Sequence, residues 1–131
     1  MSNTKVLLEP LIIEETRKTP DVKLDPAGFI SFEGRSIPED ANLFYEDIIN
    51  WLQEYLTVAK DTTTVNIALE YLNSGTSKYM LQILKLLRDL TKNGYNLVVN
   101  WYYEEGDDDI LERGEYYESI LDIKINYIET E

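Results

Sequence analysis

The stretch from Thr62 to Gly94 constrains the fold more than any other, because its hydrophobic period changes midway. From Thr62 to Leu72 the period is two, with Val65, Ile67, Leu69 and Tyr71 on one side and many β-branched residues, the pattern of a half-buried strand. After Asn73-Ser74-Gly75 the period becomes that of a helix: Met80, Ile83, Leu84, Leu87 and Leu90 recur at threes and fours until Asn93-Gly94 stops them. Leu97-Val98-Val99-Asn100-Trp101-Tyr102-Tyr103 then reads as another strand. A strand, a helix and a strand in close succession form a crossover unit, so part of the sheet is parallel.

The flanking segments fill in the rest. Val6-Leu7-Leu8, Leu11-Ile12-Ile13, Val22-Lys23-Leu24 and Phe29-Ile30-Ser31-Phe32 read as short strands, and Asp25-Pro26-Ala27-Gly28 as the turn of a hairpin. Phe44, Ile48, Trp51, Leu52 and Tyr55 mark a first amphipathic helix over about residues 40–58. Asp107, Asp108 and Asp109 open a third, short helix ending near Tyr117, and Ile123, Ile125 and Tyr127 alternate in a closing strand. The expected fold is a single α/β domain over 1–131: a mixed sheet with helices mainly on one face, since hairpin strands precede the crossover units.

Composition removes whole classes of chemistry. The chain has neither cysteine nor histidine. Thiolate sites, common zinc centres, cysteine nucleophiles and Ser-His-Asp triads are therefore excluded, and acid-base work would fall to carboxylates, Lys or Tyr. Twelve basic residues against 25 acidic ones give a formal charge of −13, which repels phosphate backbones and anionic lipid surfaces. Nucleic acid is not an expected partner. No apolar run approaches the roughly 20 residues that cross a bilayer, and no basic, apolar-centred leader opens the sequence, so the expected location is the cytoplasm with no membrane insertion.

Two segments carry candidate sites. In Asn73-Ser74-Gly75-Thr76-Ser77-Lys78 three hydroxyls crowd one strand-to-helix turn, where one Ser or Thr would suffice to cap the helix. A single Gly75 is too little for a phosphate-cradling loop, which disfavours a nucleotide. A covalent phosphate there would be stabilised by the helix N-terminus and Lys78, and would oblige any partner packed on the turn to bury a dianion. The second segment is Glu104, Glu105, Asp107, Asp108 and Asp109 beside Trp101, Tyr102 and Tyr103. Acids at a helix start are favoured by the dipole alone, yet such a run is also interface material, with aromatic anchors and steering charge. It leaves open a metal-dependent hydrolase using carboxylates 104–109, or a small-ligand or lipid binder using the sheet's aromatic face.

Leu69-Glu70-Tyr71-Leu72-Asn73-Ser74-Gly75-Thr76-Ser77-Lys78, Asn100-Trp101-Tyr102-Tyr103, and Asp107-Asp108-Asp109-Ile110-Leu111-Glu112-Arg113-Gly114-Glu115 together resemble the bacterial SiaC-type regulatory phosphoproteins, from about Phe29 to the end. The resemblance implies a fold like that of the anti-sigma-factor antagonists (STAS-like), and no catalytic residues, metal or cofactor are expected. It also implies a partner switch within cyclic di-GMP signalling: a Ser/Thr kinase modifies the turn, a metal-dependent phosphatase restores it, and the unmodified form engages a diguanylate cyclase and promotes its activity. By position the acceptor carries over to Ser74, flanked by Asn73 and Lys78. The turn departs from the family at Gly75, where a hydroxyl is more usual, and has Ser for Thr at the acceptor, so Thr76 stands as the second candidate. The expected partner-facing residues are Asn73, Ser77, Lys78, Trp101, Tyr103, Asp107, Asp108 and Asp109.

Overall fold

In the computed structural model, which describes residues 7–131, six strands and three helices follow one another in the order β1 (Leu11–Ile13), β2 (Asp21–Asp25), β3 (Phe29–Ser36), α1 (Ala41–Tyr55), β4 (Thr62–Leu72), α2 (Ser74–Lys92), β5 (Asn96–Glu104), α3 (Asp108–Leu121), β6 (Ile125–Thr130). The strands lie in the sheet in chain order, β1-β2-β3-β4-β5-β6. β1, β2 and β3 pair antiparallel, and β3 to β6 pair parallel. Each of the three parallel steps moves in the same direction across the sheet, so crossovers of one hand lay α1, α2 and α3 on one face. The mixed sheet with one-sided helices is thus as expected from the sequence, and is compatible with a STAS-like fold.

The core lies between that helical layer and the sheet. Val22, Leu24, Ile30, Phe32, Val65, Ile67, Val99, Trp101 and Ile125 point inward from five strands, each alternating with residues on the open face. Tyr45, Ile48, Leu52, Met80, Ile83, Leu84, Leu87 and Tyr117 meet them from the helices. Trp51 is buried on α1 as expected, stacked on Tyr55 with ring centroids 5.4 Å apart, and its Nε1 donates to Glu9 O at 2.7 Å. On the open face, register aligns Asn66, Asn100 and Asn126 across β4, β5 and β6, and their amides form a ladder: Asn100 Nδ2 to Asn66 Oδ1 at 2.8 Å and Asn126 Nδ2 to Asn100 Oδ1 at 3.2 Å. The β2–β3 turn closes at Gly28, whose φ of +105° and whose approach to Thr62 O leave no room for a Cβ.

Four local expectations change. Leu7 and Leu8 form no strand, and Val6 lies outside the described residues. Helix α1 stops at Tyr55 instead of continuing to about 58. Helix α3 continues past Tyr117 to Leu121, because Leu121 adds a buried apolar contact one turn further along, and it ends where Asp122 turns left-handed at φ 53°. Tyr71 does not share the face of Val65, Ile67 and Leu69. The β3–β4 register shifts between Gly34/Leu69 and Arg35/Tyr71, skipping Glu70, and this irregularity turns Tyr71 outward, 62% exposed beneath the Arg35 guanidinium.

Gly114 sits in the middle of α3 because the Trp101 indole lies against it: a Cβ there would come within 2.8 Å of Trp101 Nε1. That nitrogen is held by Ile110 O at 2.8 Å and the ring is fully buried, so it has nowhere to retreat. Gly114→Ala is expected to lower stability by about 1–3 kcal/mol, overpacking outweighing the helix propensity of alanine. Urea denaturation followed by Trp fluorescence checks this.

Candidate functional site

The carboxyl edge of the parallel sheet carries the ends of β3, β4 and β5 and the N-termini of the three helices that follow them. At its centre β4 passes directly into α2. The cap of α2 is Asn73, whose Oδ1 accepts from Thr76 N at 2.9 Å. The three hydroxyls of the turn are therefore not needed as caps, and each meets a different environment.

Thr76 points into the core. Its hydroxyl donates to Ser36 O at 2.9 Å and lies 2.8 Å from Ser36 Oγ, which in turn is 2.5 Å from the Tyr45 hydroxyl. Ser36, Thr76 and Tyr45 have no solvent exposure. Burial pushes the Tyr45 phenol up to about 12, against the opposing effect of its hydroxyl neighbours. Ser77 is half-buried: Ser77 Oγ lies 2.9 Å from the Tyr117 hydroxyl, which also donates to Ser77 O at 2.8 Å, tying α2 to α3. Ser74 differs from both. It is the first residue of α2, it is exposed, and among the described residues its hydroxyl has no hydrogen-bond partner. Lys78, one turn along the same face, is also exposed and unpaired among the described residues.

Gly75 lets α1 approach this turn, since a Cβ there would stand 3.2 Å from Ala41 Cβ, and Tyr79 OH donates to Asn42 Oδ1 at 2.8 Å beside it. The neighbouring surface includes large apolar groups that the fold leaves out: Leu43 at 68% exposure, Tyr71 at 62% and Tyr116 at 54%. The sequence pattern did not single out Leu43 as a surface residue. Its position in the first turn of α1, off the stripe of Tyr45, Ile48 and Leu52, is the signal that marks it.

The acidic and aromatic segment is divided. Asp107 caps α3, its Oδ1 accepting from Ile110 N at 3.1 Å, while Asp108 and Asp109 stand exposed in the first turn. Tyr103 is half-buried at the end of β5, with its hydroxyl 3.4 Å from Glu129 Oε1. Trp101, expected to face a partner, is instead fully buried between the sheet and α3, because alternation along β5 aims it at the helical layer. Tyr117 is likewise buried, whereas Tyr116 beside it is exposed. Among the described residues no three carboxylates converge to hold a metal ion. On the open face a groove of about 560 Å³ runs between β2 and β5, edged by Lys23, Glu33, Asn66, Glu70 and Tyr102.

Thr76→Val removes two buried hydrogen bonds to Ser36, whose carbonyl keeps Asn73 N and whose hydroxyl keeps Tyr45, and is expected to cost about 1–3 kcal/mol; Asn73→Ala is expected to cost about 1 kcal/mol through the lost cap. Ser74→Ala is expected to be nearly neutral; denaturation of the three variants ranks them. Tyr45 adds a pH signature. The unfolded phenol loses its proton near 10.0 and the folded one near 12, so stability is intact below pH 10 and falls as pH rises to 12. Tyr45→Phe is expected to remove that part of the alkaline fall.

Comparison with known proteins agrees with this architecture. The family model described as "SiaC family regulatory phosphoprotein" matches residues 13–130. An uncharacterised protein of Pseudomonas aeruginosa (strain UCBPP-PA14) is 28% identical over 111 residues, 84% of this chain and 88% of that protein. Apo-SiaC from Pseudomonas aeruginosa superposes with a TM-score of 0.79 at 26% identity, covering 93% of this chain and 98% of the other. The structure of the diguanylate cyclase SiaD in complex with its activator SiaC, from the same organism, gives a TM-score of 0.85 at 26% identity, covering 92% of this chain and 99% of its match. With the family model spanning nearly the whole chain and the fold matching throughout, this protein belongs to the SiaC family of regulatory phosphoproteins.

Proposed function

We propose that this chain is a non-enzymatic partner switch, phosphorylated on Ser74 and, when unmodified, engaging and activating a diguanylate cyclase. The observation that carries the acceptor is the contrast within the turn: Ser74 is exposed and unpaired among the described residues, whereas the Thr76 hydroxyl is sealed in the core and Ser77 is tied to Tyr117. Phosphorylating Thr76 would require α2 to detach from Ser36. A Ser/Thr kinase would transfer the γ-phosphoryl group of a nucleoside triphosphate to Ser74 Oγ, with the diphosphate leaving and the hydroxyl proton passing to a base of the kinase. A metal-dependent phosphatase would restore the serine by directing water at phosphorus, releasing inorganic phosphate.

The cyclase partner is supported by the solved complex of the related SiaC with SiaD. The surface suits a protein: Leu43, Tyr71 and Tyr116 are exposed apolar groups, Tyr71 and Tyr116 sharing one groove, and Lys78, Asp108 and Asp109 are exposed charges on the helices that start at this edge. A phosphate at Ser74 would place about −1.5 to −2 charges at the start of α2, two residues beyond Leu72 of that groove. A partner docked there would have to bury a dianion. Carboxylates 104–109 give no comparable support to a hydrolase, since Asp107 is engaged as a cap and among the described residues no three of them converge.

Incubation with the cognate kinase, followed by mass spectrometry of the peptide containing residues 73–78, is expected to place phosphate on Ser74, and Ser74→Ala to abolish incorporation while preserving the fold. Unmodified protein and Ser74→Ala are expected to activate the cyclase alike, and phosphoprotein to bind it at least about 100-fold more weakly, the equivalent of about 2.7 kcal/mol. Undiminished incorporation into Ser74→Ala would sink the assignment of the acceptor.

A further inference from the structure

Resting on Ser74 as the acceptor, we infer that Arg113 of α3 receives the Ser74 phosphate within the same molecule, clamping α2 to α3 beside the groove that Arg113 shares with the end of β4. The argument begins with the Ser77–Tyr117 contact. α2 and α3 both follow β-strands and return antiparallel to them, so the two helices run in the same direction along the sheet. Their side chains meet where Ser77 bonds Tyr117. One turn back toward the N-terminus, about 5.4 Å away, the residues of the same faces are Asn73 and Ser74 on α2 and Arg113 and Gly114 on α3. Gly114 is buried beneath Trp101. That leaves Arg113 as the side chain opposite Ser74, and because both Tyr117 and Arg113 lean toward the start of α3, the one-turn offset is preserved at their tips.

A second observation places the guanidinium. Arg113 edges the groove that also borders Tyr71 and Leu72, the residues leading into the turn, together with Tyr116. The Tyr117 phenol is raised by burial, and the Ser77 bond and the Arg113 charge act in the opposite direction, in keeping with Arg113 one turn before Tyr117 on the same side of α3. Despite the carboxylates of Glu70, Asp107, Asp109 and Glu112 bordering the groove, Arg113 is exposed and forms no ion pair among the described residues.

The charge balance makes this cation decisive. The carboxylates along this edge are Glu70 on β4, paired with Arg35 at 3.5 Å, Asp107 before α3, Asp109 and Glu112 on α3, and Asp40 at the start of α1, while Lys78 on α2 is a cation in favour of a phosphate on Ser74. Without a cation reaching from α3, the carboxylates would disfavour the dianion. A guanidinium can bind two phosphate oxygens at once, which a lysine cannot reproduce. Drawing Arg113 toward Ser74 would also cover the space between Tyr71 and Tyr116, so the phosphoprotein would lose apolar docking surface as well as gain charge.

Phosphoserine installed at position 74 during translation tests the clamp without any kinase, so its result stands apart from whether cells phosphorylate Ser74. Phosphorus NMR is then read against pH. In the otherwise wild-type chain the second ionisation is expected below the value of about 6 for a free phosphoserine, and Arg113→Gln is expected to raise it by about half a unit or more. Arg113→Lys is expected to recover part of the shift. Thermal melts of the unmodified Arg113→Gln protein, expected to match wild type, show that the fold is intact. Identical titration curves for wild type and Arg113→Gln, or a shift produced by Lys78→Gln alone, would overturn the assignment and leave the phosphate held by its own helix.

Discussion

The hydrogen bonds that meet at Ser36 hold the structure's working edge together. Ser36 is the last residue of β3 and has no solvent exposure, so its polar groups must be paired inside the protein. Its carbonyl accepts from Asn73 N at 3.2 Å and from the Thr76 hydroxyl, and its own hydroxyl contacts Thr76 and Tyr45. One residue thereby joins β3, α1 and the start of α2. Leaving any of these groups unpaired in a dry setting costs more than the bond contributes when made, so the network resists partial opening. The α2 N-terminus consequently stands at one height above the sheet, with Ser74 outside and Thr76 inside.

The proposed switch rests on this partition of a crowded turn. Three hydroxyls within four residues are chemically similar, yet packing gives them separate tasks: Thr76 anchors, Ser77 links α2 to α3, and Ser74 is left for solvent. A modification confined to Ser74 can change the surface without disturbing the core, which is what a reversible switch requires. The charge of −13 suits such a device, because a further dianion on an acidic surface alters encounter and docking strongly where few cations offset it. Arg113 and Lys78 are exposed cations on two adjacent helices here, while Arg35 at the end of β3 is paired with Glu70.

Much of the architecture was legible in the sequence. Period two from Thr62 to Leu72, period 3.6 from Met80 to Leu90 and the Asn93-Gly94 stop correspond to β4 and α2, and the hairpin at Asp25-Pro26-Ala27-Gly28 lies where its turn residues placed it. Family resemblance, carried by the turn and by the segments around Trp101 and Asp107, is borne out by the family model and the solved structures. Less legible were features set by neighbours distant in the chain. Tyr71 continues the β4 alternation in sequence but leaves it in space, because register against β3 slips by one residue at Glu70. Trp101 looks like a surface aromatic in a Tyr-rich segment, yet it is buried beneath α3 and packs edge to face with Tyr117 of that helix at 5.8 Å.

The sequence by itself determined the element order, the one-sided sheet and the location of the turn, since these follow from periodicity and capping chemistry, which act over a few residues. It could not decide which hydroxyl of the turn is buried. That choice depends on Ser36 and Tyr45, 40 and 31 residues from Thr76 along the chain, and on Tyr117, 40 residues beyond Ser77. Only the folded chain brings those partners within hydrogen-bonding distance, and the free energy of pairing buried polar groups, absent from any local pattern, is what leaves Ser74 exposed.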